Sequence, residues 1–171
     1  MVLAAGASTR FGSPKQRLLL GPVLERVRAS SVADTVVVEG AYELEASERT
    51  VRCLEWDRGP GASLRCGLRA LDAEVAAAVV VLADGPDLAP AAINRLVETW
   101  RGGARAILAA SYGGVRGHPV LLPREVWADV PDEGARSLGA VLVPCDDLGS
   151  PGDVDVADDL PEWLKQPPAG R

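Results

Sequence analysis

The sequence predicts an α/β protein, a three-layer arrangement with helices on both sides of a mostly parallel central sheet. Two observations carry that expectation. Short apolar runs recur along the chain with little polar alternation, as in parallel strands buried on both faces. Between them lie stretches whose apolar residues repeat at helical spacing, and alternating elements of this kind build a sheet covered on both sides. A length of 171 residues with 47% apolar content suits one domain around one sizeable core.

The expected strands are Met1–Ala5, Thr35–Val38, Val51–Leu54, Ala77–Ala83, Ala106–Ala110 and Val120–Leu122. The first expected helix, Pro22–Ser31, sets Val23 and Val27 on one stripe. The second, Ser63–Leu71, repeats Leu64, Leu68 and Leu71, with Ser63 as a candidate cap. The third, Pro90–Trp100, carries Pro in its first turn and Ile93, Leu96, Val97 and Trp100 on one face. Asp34, Gly40, Asp72 and the Gly102–Gly103 pair punctuate these elements as turn residues. No linker or repeat divides the chain, so a single domain is expected over residues 1–165. The tail Gln166–Arg171, with two prolines and a glycine, is expected to fray.

Charge narrows the partners. Lys and Arg total 18 against 24 Asp and Glu, a net charge of −6, which disfavours nucleic acid. Arg10, Lys15 and Arg17 cluster near the start, a pattern suited to a small phosphorylated ligand. The longest apolar run, Val75–Ala83, is far below the ~20 residues of a membrane span. No secretory leader is evident, so a cytoplasmic protein with no membrane partner is expected. Cys53, Cys66 and Cys145 are far apart and lack metal-binding spacing, so reduced, mostly buried thiols are expected. Without heptads, a monomer is expected. Trp56, Trp100, Trp127 and Trp163 are scattered and form no stacking platform.

In such sheets ligands bind beyond the carboxyl ends of the strands. After the first run comes the loop Gly6-Ala7-Ser8-Thr9-Arg10-Phe11-Gly12-Ser13-Pro14-Lys15. Glycines there allow close backbone approach, and backbone N–H groups with Arg10 and Lys15 can hold phosphate. A solvated turn would present the same residues. The loop is neither G-x-G-x-x-G nor a G-x-x-x-x-G-K-[ST] P-loop. The fourth run ends in Asp84-Gly85-Pro86-Asp87, where Asp84 suits Mg²⁺ or a turn equally well. Gly59-Pro60-Gly61 before the second helix is either an anion contact or an ordinary helix start. His118, the sole histidine, follows a Gly-rich turn and is either structural or substrate-binding.

Residues 3–15, L-A-A-G-x-S-x-R-F-G-x-x-K, resemble the signature of the MobA-like nucleotidyltransferases, which include the molybdenum-cofactor enzymes. The L-A-A-G form is closest to the molybdenum cofactor cytidylyltransferase (MocA-like) branch. Three further segments resemble the family in the same order: S-L-R-x-G-L at residues 63–68, the strand ending in Asp84, and R-G-H-P-V-L at 116–121. Val154-Asp155-Val156-Ala157-Asp158-Asp159-Leu160 is similar to the family's I-D-T-P-E-D-L, with Val-Ala in place of Thr-Pro.

The resemblance implies a Rossmann-like fold of the nucleotide-diphospho-sugar transferase type. It implies that Leu3, Ala4, Ala5 and Gly6 lie against base and ribose, and that Arg10 and Lys15 hold the triphosphate and act as catalytic cations. It implies nucleotide contact by Ser63 and Arg65, metal binding by Asp84 and Asp155, and acceptor binding by Arg116 and His118. Asp57 is a further candidate for the ribose. The implied reaction is Mg²⁺-dependent transfer of CMP from CTP to molybdopterin with release of pyrophosphate. GTP as donor, or a sugar phosphate or deazaflavin-cofactor precursor as acceptor, remain open. So does a non-catalytic role delivering cofactor to a molybdoenzyme, though Lys15, Asp84 and Asp155 together favour an enzyme. One departure is the segment Lys15–Pro22, several residues shorter than the family's Leu-rich stretch and Gly-Gly-x-Pro turn.

Overall fold

The computed structural model describes residues 1–165, so the tail 166–171 lies outside the described residues. Seven strands form one sheet: β1 (Val2–Ala4), β2 (Val36–Glu39), β3 (Arg49–Arg52), β4 (Ala77–Leu82), β5 (Leu108–Tyr112), β6 (Val115–Pro123) and β7 (Val141–Pro144). Their spatial order is β3-β2-β1-β4-β6-β5-β7. The pairs β1–β2, β2–β3, β1–β4 and β5–β7 are parallel, whereas β6 is antiparallel to both neighbours. The sheet is therefore mostly parallel, as the unalternated apolar runs require.

Helices α1 (Gln16–Arg28) and α3 (Pro90–Arg101) cover one face, and α2 (Pro60–Arg69) covers the other. Strand β4 shows how both faces are filled. Val79 and Val81 join Leu20, Val23, Ile93 and Leu96 in one cluster, while Ala78 and Val80 join Leu64 and Leu68 in the other. Successive side chains point to opposite faces, so a strand between two helical layers must be apolar at every position. Each fully buried aliphatic side chain contributes about 1.5–3 kcal/mol. A short helix, α4 (Glu162–Lys165), closes the described chain. Among the described residues no helix is long and apolar enough to cross a membrane.

Several boundaries differ from expectation. Helix α1 begins at Gln16, six residues before Pro22, which it carries in its interior. An interior Pro costs about 3 kcal/mol, but starting at Gln16 adds Leu19 and Leu20 to the buried stripe of Val23, Leu24 and Val27. Burial outweighs the lost backbone bond, and the chain from Gln16 to Pro22 runs as helix. Helix α2 likewise begins at Pro60, with Gly59 as N-cap, so Ser63 lies inside the helix and caps nothing. Strand β6 reaches back to Val115 because Gly113 and Gly114, at φ 59° and 74°, make a two-residue hairpin turn joining it to β5. Strand β7 is an additional edge strand whose short run, with Val141 and Leu142 exposed, carries little burial signal.

The cysteines correct a further expectation. Cys145 is a buried free thiol, but Cys53 and Cys66 are joined in a disulfide. They lie 13 positions apart in sequence. Spacing could not reveal the pair, because it depends on α2 folding back over the end of β3.

Candidate functional site

The C-terminal ends of β1 and β4 open side by side, and a cavity of about 460 Å³ lies beyond them. Its floor is Leu3, Ala4, Ala5 and Gly6 from β1 and its loop, with Leu82, Ala83 and Asp84 from β4. Arg10, Lys15 and Asp155 close one side, and Trp56, Asp57, Gly59, Pro60 and Ser63 close the other.

Ionic contacts order the first side. The Lys15 ammonium sits at the start of α1, only 11% exposed, with Asp84 Oδ2 at 3.0 Å, Val154 O at 2.5 Å and Asp155 Oδ1 at 3.7 Å. The ammonium donates to Asp84 Oδ2 and Val154 O, while Asp155 attracts it as an ion pair without a hydrogen bond. Arg10, 71% exposed, grips Asp155 in bidentate fashion at 2.6 and 2.8 Å. The segment carrying Asp155 is tied to β4 by the Val154 N–H, which donates to Asp84 O at 3.0 Å, and by burial of the Val154 side chain. Two carboxylates remote in sequence thus converge on one cation.

That donor set fits a divalent cation with few protein ligands. Mg²⁺ accepts one or two carboxylates and completes its shell with phosphate oxygens and water. Among the described residues no group of three or more His, Cys, Asp and Glu converges as a protein-only metal cage. Asp84 and Asp155 would hold the ion, with Lys15 and Arg10 free to turn to phosphate.

Two further residues shape this side that no motif in the sequence marks. Gln16 is 4% exposed and spans the Gly-rich loop: its Nε2 donates to Gly6 O and its Oε1 accepts from Ser8 Oγ, both at 2.7 Å. Ser8 has φ 52°, a left-handed conformation that costs a non-glycine residue about 1–2 kcal/mol. Its carbonyl accepts the N–H groups of Phe11 and Gly12, so the loop folds on itself behind Gln16. A polar residue following the signature lysine was the available signal. Asp153 is the second. Burial first, and the Asp84 and Asp155 carboxylates next, push its carboxyl above the usual range. It lines a smaller hollow of about 170 Å³ that shares Asp84 with the main cavity.

The remaining candidates divide. Ser63 lines the main cavity, but Arg65 does not. The Arg65 guanidinium donates to Val130 O at 2.7 Å and pairs with Asp132, which also pairs with Arg58. The Gly61 N–H donates to Asp132 O, and a Cβ on Gly61 would lie 1.7 Å from Pro131 O, so only glycine permits this approach. Arg65 thus anchors the 130–132 segment against α2 on the outer side of the cavity wall.

Arg116 and His118 line a neighbouring cavity of about 390 Å³, which shares Leu3, Pro60 and Leu82 with the first. The Arg116 guanidinium is largely occupied by the carbonyls of Ala135, Arg136 and Leu138. The His118 ring has a buried Nδ1 with no hydrogen-bond partner, and burial lowers its pKa below the ordinary value of 6.5. The Val80 backbone and the Asp84 carboxylate partly oppose that shift. The His118–Pro119 peptide bond is cis.

Known proteins share this architecture. No curated protein matches the chain in sequence. Among solved structures, a homologue of Mycobacterium tuberculosis Rv0371c from Mycobacterium sp. strain JC1 is 27% identical, with TM-score 0.77, covering 96% of this chain and 93% of its own. Rv0371c of M. tuberculosis H37Rv in complex with manganese is 26% identical, with TM-score 0.73 and 96% of each chain covered. Molybdopterin-guanine dinucleotide biosynthesis protein A from Archaeoglobus fulgidus is 18% identical, with TM-score 0.64 and coverage of 96% and 93%, and so shares the fold. The family model for the MobA-like NTP transferase domain matches residues 1–146. With the Gly-rich loop, the strand-end aspartate and the cavity between them in place, the chain belongs to the MobA-like NTP transferase family.

Proposed function

We propose that this nucleotidyltransferase, one domain over residues 1–165, transfers CMP from CTP to a phosphorylated acceptor, molybdopterin being the favoured one, with Mg²⁺ as cofactor. The observation that carries the proposal is Lys15, held between Asp84 and Asp155, all three lining the cavity with the Gly-rich loop. Leu3, Ala4, Ala5 and Gly6 take the base and ribose, and Ser63 approaches from the opposite wall. Arg65 falls outside this contact set, because Asp132 and Val130 already engage it.

The triphosphate enters between Arg10 and Lys15. Both cations are paired with carboxylates in the free protein, and both move to phosphate oxygens as the nucleotide arrives. Mg²⁺, when bound by Asp84 and Asp155, neutralises phosphate charge and orients the α-phosphate. An acceptor phosphate oxygen attacks the α-phosphorus in line, a P–O bond to pyrophosphate breaks, and pyrophosphate leaves with the bond's electron pair. A phosphate nucleophile is already ionised at neutral pH, so no general base is needed. Positioning and charge stabilisation by Arg10 and Lys15 carry the rate. The acceptor lies towards Arg116 and His118, whose cavity adjoins the first along Leu3, Pro60 and Leu82.

The test is pyrophosphate release with each of four nucleoside triphosphates and Mg²⁺, with and without molybdopterin. Release with CTP that requires molybdopterin is the expected result. A preference for GTP would replace the donor, and release requiring a different phosphorylated acceptor would replace molybdopterin. No release with any donor and acceptor pair would overturn the catalytic reading.

A further inference from the structure

The Cys53–Cys66 disulfide encloses one wall of the nucleotide cavity. Cys53 directly follows β3 and is fully buried, with its N–H donating to Glu39 O at 2.8 Å. Cys66 lies within α2, half-buried, with the Arg69 guanidinium 3.5 Å from its sulfur. Between them run residues 54–65, and Trp56, Asp57, Gly59, Pro60 and Ser63 of that stretch all line the cavity. The third thiol cannot compete: Cys145 belongs to the core cluster on the opposite face of the sheet from Cys53.

We propose that Cys53 and Cys66 form a reversible redox site whose closure stiffens the 54–65 wall and thereby tightens the cavity on its nucleotide, the last step resting on the nucleotide reading above. Cys66 is the more accessible sulfur of the pair, with the Arg69 guanidinium beside it, and in the reduced protein it reacts first as thiolate. That thiolate attacks one sulfur of a low-molecular-weight disulfide such as glutathione disulfide, forming a mixed disulfide and expelling one small thiolate. Cys53, as thiolate, then displaces the second small thiolate and closes the Sγ–Sγ bond. Two electrons pass from the cysteine pair to the small disulfide, which leaves as two thiols with the two protons. A dithiol reductant reverses the sequence.

The bond joins a strand end to a helix, so its effect on the stretch between is local. With it closed, the wall can open only within a short tethered ring. With it open, the wall is held by α2 packing and by the contacts of Arg58, Gly61 and Arg65 with Asp132.

The experiment equilibrates the full chain in buffers of varied glutathione to glutathione disulfide ratio. Samples are quenched with an alkylating agent under denaturation, and alkylated thiols are counted by mass spectrometry. Parallel samples report hydrogen exchange of the 56–63 amides and CTP affinity. The expected result is one alkylated thiol in oxidising buffer and three in reducing buffer, with exchange at 56–63 about tenfold slower when oxidised. CTP should bind at least about threefold more tightly to the oxidised form, and Cys66→Ser should match the reduced form in every buffer. Three alkylated thiols throughout, or equal exchange at 56–63 in both forms, would overturn the proposal. Redox-dependent exchange with no nucleotide bound by either form would support the redox site and overturn the nucleotide reading instead.

Discussion

Replacing Asp84 by Asn keeps the shape of the side chain and removes its charge, and the structure sets what that should cost. Asp84 Oδ2 lies 3.0 Å from Lys15 Nζ, with the two side chains 27% and 11% exposed. At an effective dielectric near 20, charges at that separation attract by about 5 kcal/mol before desolvation is counted. Most of that is offset by the cost of drawing both groups from water. Lys15 also keeps Val154 O at 2.5 Å and Asp155 at 3.7 Å in the variant, so it is not stranded. The change further relieves Asp84's repulsion of Asp153. The net loss of stability should therefore be about 1 kcal/mol, a fall in Tm of about 2–4 °C for a chain of this size. Turnover should fall much further, by at least about 10²-fold, the scale for removing a main charge partner of the transition state. Calorimetry and steady-state pyrophosphate release measure the two quantities on the same sample. The Asp153 titration, followed by NMR, should move down. A folded variant whose turnover stays within about threefold of the parent would refute the metal-site reasoning.

Gln16→Ala removes both hydrogen bonds that brace the Gly-rich loop, each worth about 1 kcal/mol, so KM for the nucleotide should rise about 10–30-fold with a smaller change in kcat; an unchanged KM would show that the loop holds its shape unaided. Arg65→Ala should leave nucleotide affinity within about twofold while loosening the 130–132 segment, seen as faster hydrogen exchange there, because Arg65 faces Val130 and Asp132. His118 has a lowered native pKa, so below pH 6.5 the unfolded chain takes up a proton that the folded chain excludes. Stability should therefore fall as pH drops through 6.5 towards the native value, and His118→Gln should flatten that part of the curve in denaturant titrations against pH.

Where sequence reading succeeded, the signal was local. Ala77–Leu82 is apolar at every position because both faces of β4 are covered, and that unbroken run is visible without a fold. Helix α3 opens at Pro90 as expected, since its Pro and its stripe of Ile93, Leu96 and Val97 lie within one stretch. Leu3 to Gly6 and the strand-end Asp84 line one cavity because strand ends in such sheets face one side. Local signals also misled. Pro22 and Ser63 look like helix starts, yet both lie inside helices whose first turns are held by burial and by a glycine cap.

The amino-acid sequence by itself determined the alternation of strands and helices, the Gly-rich loop with its cations, and the presence of two aspartates in family-like segments. Only the tertiary structure decided that Lys15 bridges to Asp84, 69 residues away, and to Asp155. It likewise paired Arg65 with Asp132 across 67 residues and joined Cys53, just after β3, to Cys66 within α2. The reason is physical: periodicity reports which face of one element is buried. The partner that a charged or sulfur-bearing side chain meets depends on how separate elements cross and register, which no single segment encodes.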